Sequence, residues 1–81
     1  MNDKLKAITN NRTFIETPGG YTFLSCYDVD TDYNFYDVYD DNGNYLGEVA
    51  AADVKDNIID YDEDDNPIYD MEGLDILAED L

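Results

Sequence analysis

Tyr36-Asp37-Val38-Tyr39-Asp40-Asp41-Asn42-Gly43-Asn44-Tyr45-Leu46-Gly47-Glu48-Val49 carries the strongest local signal in the chain. Asn42-Gly43 supplies the positive φ that a tight hairpin requires, between a strand over Asn34–Asp40 and another through Tyr45–Val49. Toward the N-terminus, Asp30-Thr31-Asp32 reads as a turn and Tyr21–Val29 as a strand. In that strand Tyr21, Phe23, Ser25, Tyr27 and Val29 share one face, with Thr22, Leu24, Cys26 and Asp28 on the other. Tyr21, Phe23 and Tyr27 are the expected core. Pro18-Gly19-Gly20 is a further turn, and Thr13–Thr17 a first strand. Residues 2–10 allow a short helix with Leu5 and Ile8 on one face and Asn2 or Asp3 as its cap.

Toward the C-terminus the spacing changes. Ala51, Val54 and Ile58 line one side of a helix over residues 50–58. Tyr61-Asp62-Glu63-Asp64 then echoes Tyr39-Asp40-Asp41-Asn42, each before a turn and a short apolar pair, which predicts a second hairpin. Pro67 cannot donate to a ladder and belongs at an edge of it. Leu74, Leu77, Ala78 and Leu81 fall at i, i+3, i+4 and i+7, an amphipathic helix following Gly73. The expectation is α+β: one acidic domain over residues 1–81, with an antiparallel meander of three to five strands and short N-terminal, central and C-terminal helices.

Composition narrows the function. The 81 residues hold 21 acids, four bases and no histidine, a formal net charge of −17. Lys4, Lys6 and Arg12 are three of the four bases, so residues 13–81 set 20 acids against Lys55 alone. The charge therefore belongs to the folded body. High charge at a mean hydropathy of −0.58 is the mark of disorder, but eight Tyr, three Phe and only two Pro argue for a small core. No apolar run approaches the roughly 20 residues of a membrane span, and so acidic a chain is no direct binder of nucleic acid. The first residues lack the apolar stretch of a signal peptide, which predicts a cytoplasmic protein. Cys26 has no thiol partner for a disulfide or a metal site and reads as a small buried hydrophobe. Neither an enzyme nor a cofactor is expected.

Sixteen of the 21 acids are Asp, whose short side chain holds its carboxylate close to the backbone. Alternate residues of a strand stand about 6.8 Å apart on one face, and duplex DNA places a phosphate every 3.4 Å or so along each strand. Strand-borne rows at Asp28/Asp30/Asp32 and at Asp60/Asp62/Asp64 would therefore imitate successive phosphates. Glu63 and Asp65 extend the second row, and Asp37, Asp40, Asp41 and Asp70 flank the two. A charged run is ordinarily a solvated face, but about 2–8 charges suffice to keep a small domain soluble. Calcium is the rival use. Both rows match the opening of an EF-hand loop, yet Tyr33 and Asp65 stand where its glycine must be, and Tyr39 and Met71 where its bidentate Glu belongs. No metal ligand set is assigned. Six more tyrosines, at 33, 36, 39, 45, 61 and 69, exceed what so small a core encloses, so some must lie exposed among the acids as interface anchors.

In size, acidity, Asp-rich strands and scattered tyrosines the chain resembles the DNA-mimic inhibitors of phages and mobile elements, including anti-CRISPR, anti-restriction and uracil-DNA glycosylase inhibitor proteins. The resemblance lies in the composition of residues 13–81, and those families share no common fold. It implies a stoichiometric inhibitor, monomeric or homodimeric, that blocks the DNA-binding groove of a basic nucleic-acid-binding protein in the host cytoplasm, a CRISPR effector or restriction enzyme above all. Immunity proteins and antitoxins against basic nuclease toxins are a second class with the same traits, and a calcium-binding module is a third.

Overall fold

The computed structural model describes residues 2–81. It is α+β: α1 (Asp3–Thr9), β1 (Phe14–Glu16), β2 (Thr22–Asp28), β3 (Tyr33–Tyr39), β4 (Tyr45–Ala50), α2 (Ala51–Lys55), β5 (Ile58–Tyr61), β6 (Pro67–Tyr69) and α3 (Met71–Glu79). The first four strands form one antiparallel sheet in the order β1-β2-β3-β4, the expected meander, and β5 and β6 form a separate two-stranded ribbon.

Alternation of side chains gives the large sheet two distinct faces. Register places Ile15, Phe23 and Val38 side by side, and beside them Ser25, Tyr36 and Val49. This is the core face. Phe23 and Val38 are completely buried there and cluster with Val49, with Val54 of α2, and with Leu74 and Ala78 of α3. Tyr21, Tyr69, Met71 and Leu77 pack around that cluster. Leu24 points to the opposite face and is also buried, as is Leu5 of α1. The Asn2 side chain caps α1 by accepting from the Leu5 amide at 2.8 Å.

The two hairpin turns share one hydrogen-bond pattern. Asp40 donates its amide to the Asn44 carbonyl and accepts from the Gly43 amide, and Asp62 does the same with Asn66 and Asp65. One carboxylate oxygen of Asp40 takes the Asn42 and Asn44 amides, both at 2.9 Å, and the matching oxygen of Asp62 takes those of Asp64 and Asn66, also at 2.9 Å. Each turn needs one left-handed residue, at Gly43 (φ 82°) and Asp65 (φ 62°). The sequence echo therefore reflects one turn used twice. Because the left-handed region costs a side-chain-bearing residue about 1 kcal/mol, Asp65→Gly is expected to stabilise the fold by about 0.5–1 kcal/mol, or about 2–8 °C in Tm. Asp65→Ala removes the same charge but keeps a Cβ. Thermal melts in which D65G gains no more than D65A would contradict this.

Three expectations need correction. The central helix ends at Lys55, and Ile58 opens β5. α3 starts at Met71, so Gly73 lies inside the helix, where a Cβ would come to 2.0 Å from the Asn57 side-chain oxygen. Tyr27 is 52 % exposed, since β2 runs past the helical cover, and its hydroxyl donates to Asp32. Phe23 and Tyr21 do occupy the core side as expected, and Tyr33, Tyr45 and Tyr61 lie exposed. Among the described residues no helix is long and apolar enough to cross a membrane.

Candidate partner-binding surface

The acids expected to imitate phosphates are carried mainly by turns, not by strands. Asp28 ends β2, and Asp30 and Asp32 lie in the loop beyond it, with Asp32 left-handed (φ 54°). Asp60 lies in β5, whereas Asp62, Glu63, Asp64 and Asp65 make the turn that follows. The regular 6.8 Å repeat of an extended strand (about two residues' rise) thus holds for neither row. The physical reason is that the short Asp side chain competes for nearby amides, and it does so best where the chain bends.

Those bonds divide the twelve candidate acids into two equal sets. Asp28 accepts from the Asp30 amide, Asp32 from the Tyr27 hydroxyl, Asp37 from the Cys26 thiol, Asp60 from the Tyr61 amide, and Asp40 and Asp62 cap their turns. The other six, Asp30, Asp41, Glu63, Asp64, Asp65 and Asp70, have no recorded side-chain hydrogen bond among the described residues. In the first set Asp28, Asp40, Asp60 and Asp62 are pinned by backbone amides, and Asp32 and Asp37 by neighbouring side chains. In the second set Asp30, Asp41, Glu63, Asp64 and Asp65 sit in the turns that Asp28, Asp40 and Asp62 brace, whereas Asp70 is placed by the start of α3. Asp40 shows the pinning most clearly: the Asn44 amide, aided by the Asn44 side chain, the Asn42 amide and the charge of Lys4, holds its carboxyl below the usual range. It stays ionised further into acid than an ordinary aspartate.

Placement follows topology. The loop with Asp28, Asp30 and Asp32 caps one end of the sheet, and Asp40 and Asp41 cap the other, separated by the length of β3. Gly20 of the β1–β2 turn adjoins Asp41 at this second end, where a Cβ on Gly20 would lie 3.6 Å from the Asp41 Cβ. Asp70 precedes α3 and donates its amide to the Asn57 carbonyl. The Glu63–Asp65 acids sit on their own ribbon, so no single row joins all twelve. Asp75, outside the expected set, packs against Gly19 with one carboxylate oxygen buried and without a hydrogen-bond partner. Among the described residues no three Asp, Glu or Cys side chains converge as a metal site would require.

The second face of the sheet carries a constellation that the acid pattern alone does not reveal. Register brings Phe14, Leu24, Asp37 and Glu48 into one row, Cys26 and Phe35 into the next, and Asp28 with Tyr33 beyond them. Tyr39 and Tyr45 pair on the other side of Asp37. Tyr33 and Phe35 stack with centroids 5.7 Å apart, and Tyr39 meets Tyr45 edge-on at 5.7 Å. Beside Cys26, the cross-strand partner of Phe35, lies the Arg12 guanidinium, which donates to the Ser25 carbonyl at 2.9 Å and to the Cys26 sulfur at 3.3 Å. Cys26 is half-buried, and burial, with the neighbouring Asp37 charge, pushes its thiol up, so it is no activated nucleophile. Burial and then the charges of Asp37 and Glu48 likewise raise the Tyr45 phenol. The signal for this face was the alternation Tyr33-x-Phe35-x-Asp37-x-Tyr39, present in the sequence but read there only as strand. Comparison of the chain with protein-family models, with curated proteins and with solved structures finds no match.

Proposed function

We propose that this protein is a stoichiometric inhibitor that presents its carboxylates as an imitation of nucleic-acid phosphates and occupies the DNA-binding groove of a basic enzyme of host defence, of the CRISPR-effector or restriction class, in the host cytoplasm. The observation that carries the reading is the combination of a −17 charge with acids fixed at three turns by their own backbone amides. A mobile polyanion loses conformational entropy when it docks, whereas carboxylates on pinned turns are already ordered. Binding would release the cations gathered around the carboxylates as the partner's Lys and Arg neutralise them, and would weaken steeply with salt, as nucleic-acid binding does.

The test is capture from a host lysate at low salt, followed by competition. A basic nucleic-acid enzyme is expected to elute as salt rises, and duplex DNA should displace the protein from it in proportion to concentration. Single Asp→Ala changes among the twelve acids should each weaken capture only slightly, because the site is distributed. Inhibition that persists unchanged in saturating DNA would overturn the mimic in favour of an exosite inhibitor of the immunity-protein kind. One alanine change that abolished binding would point to a discrete chemical site.

A further inference from the structure

We propose that the second face of the sheet, between the Tyr33–Phe35 stack and the Tyr39–Tyr45 pair, is a seat for an arginine of the partner protein, and that Arg12 occupies this seat in the free chain. The proposal deepens the inhibitor reading by assigning the protein-specific contact that phosphate imitation alone does not provide. In a duplex the base faces are stacked on one another, so exposed rings beside a carboxylate offer an arginine a contact that the phosphate backbone of a duplex does not.

The chemistry of the face selects the occupant. A guanidinium is planar, stacks on aromatic rings and donates several hydrogen bonds in a fixed fork, whereas an ammonium is a compact, strongly hydrated point charge. The face offers four rings, the Asp37 carboxylate half-buried among them, and exposed Glu48 beside it. Tyr33 (44 % exposed) and Tyr45 (56 % exposed) leave ring surface open to a partner. Arg12 supplies the second argument: one of only four bases in the chain lies on this face, its guanidinium against Cys26 and its charge acting on the Tyr39 phenol. A guanidinium is thus already held on this face, by the Ser25 carbonyl and by the sulfur that donates to Asp37. A second copy of the chain is the wrong occupant, since each brings −17 and its own Arg12 is already engaged. A basic protein, rich in the arginines that hold nucleic-acid phosphates, fits on charge and on shape.

Two short peptides, hexa-arginine and hexa-lysine, serve as probes against isotopically labelled full-length protein at about 150 mM salt, where charges beyond the roughly 8 Å screening length contribute little. The arginine peptide is expected to bind about tenfold more tightly, equal to about 1.4 kcal/mol, the scale of a cation–π contact. Its largest shifts should fall on Tyr33, Phe35, Tyr39 and Tyr45. Tyr45→Ala, at an exposed site, should remove most of the arginine preference, and Tyr45→Phe should keep it. Arg12→Ala should strengthen binding of the arginine peptide severalfold by vacating the seat, and the isosteric Asp37→Asn should weaken it. Equal affinity for the two peptides overturns the seat. So do shifts confined to the turn residues, or a loss of affinity in Arg12→Ala. Self-association detected as shifts on dilution of the protein alone overturns the choice of occupant. Displacement from the captured enzyme by DNA is measured separately, so failure of the seat and failure of the phosphate imitation are distinguishable.

Discussion

Phe23→Ala is expected to leave most of the protein unfolded at 37 °C. Phe23 is completely shielded from solvent, lies between Ile15 and Val38 in the ladder, and belongs to the cluster that joins the sheet to α2 and α3. Removing a buried Phe ring costs about 3–5 kcal/mol, as lost transfer energy and as the cavity left behind. A chain of 81 residues is stable by only about 4–12 kcal/mol in total. Here the lower part of that range applies, because the core is small and the surface repels itself. The urea midpoint should fall by about 2 M, since slopes for small proteins are about 1–3 kcal/mol per molar. Phe14→Ala is the control: Phe14 is 37 % exposed on the second face, and its loss should move the midpoint far less. Equal effects from the two changes would mean that the core is not centred on Phe23.

The second large effect concerns charge. Converting Asp30, Asp41, Glu63, Asp64, Asp65 and Asp70 to their amides takes the formal charge from −17 to −11 and removes no turn hydrogen bond recorded for those side chains. Self-repulsion falls, so Tm should rise, and the gain should shrink in 1 M salt, where screening acts within about 3 Å. Capture of the target enzyme should be lost nonetheless. The matched variant with Asp28, Asp32, Asp37, Asp40, Asp60 and Asp62 converted has the same −11 charge but weakened turn caps, and its Tm should fall. Two variants of equal charge are thus expected to move oppositely in stability. If the first variant still held the enzyme at full strength, the carboxylates would be wetting alone. If both shifted Tm alike, the division into pinned and unpinned acids would be wrong.

Much of the fold was legible because its signals are local. Asn42-Gly43 specified a turn, and the period-two alternation of β2 and β3 specified the strands around it. The repeat of Tyr-Asp at 39–40 and 61–62 specified a second hairpin. Less local features were misread. Gly73 looked like punctuation because the side chain that excludes a Cβ there belongs to Asn57, sixteen residues away. Tyr27 shares a strand face with Phe23, but whether a helix reaches that far along the face depends on tertiary cover that no periodicity encodes. The aspartate rows had the right spacing in sequence and the wrong backbone: an Asp that can accept an amide two residues on promotes a bend and so ends the strand that would have kept the row straight. Arg12 gave no signal at all, since nothing in its neighbours in sequence places it beside Cys26.

The seven residues of β3 act as a ruler. They hold the Asp28–Asp32 loop and the Asp40–Asp41 turn about 20 Å apart along the strand, and the same distance along a duplex covers about six base pairs. A binding channel that accepts both tips of the sheet at once must be at least that long, whereas a pocket built for one extruded base meets only one tip. Oligonucleotides much shorter than this length would compete for half of the footprint and leave the other tip engaged.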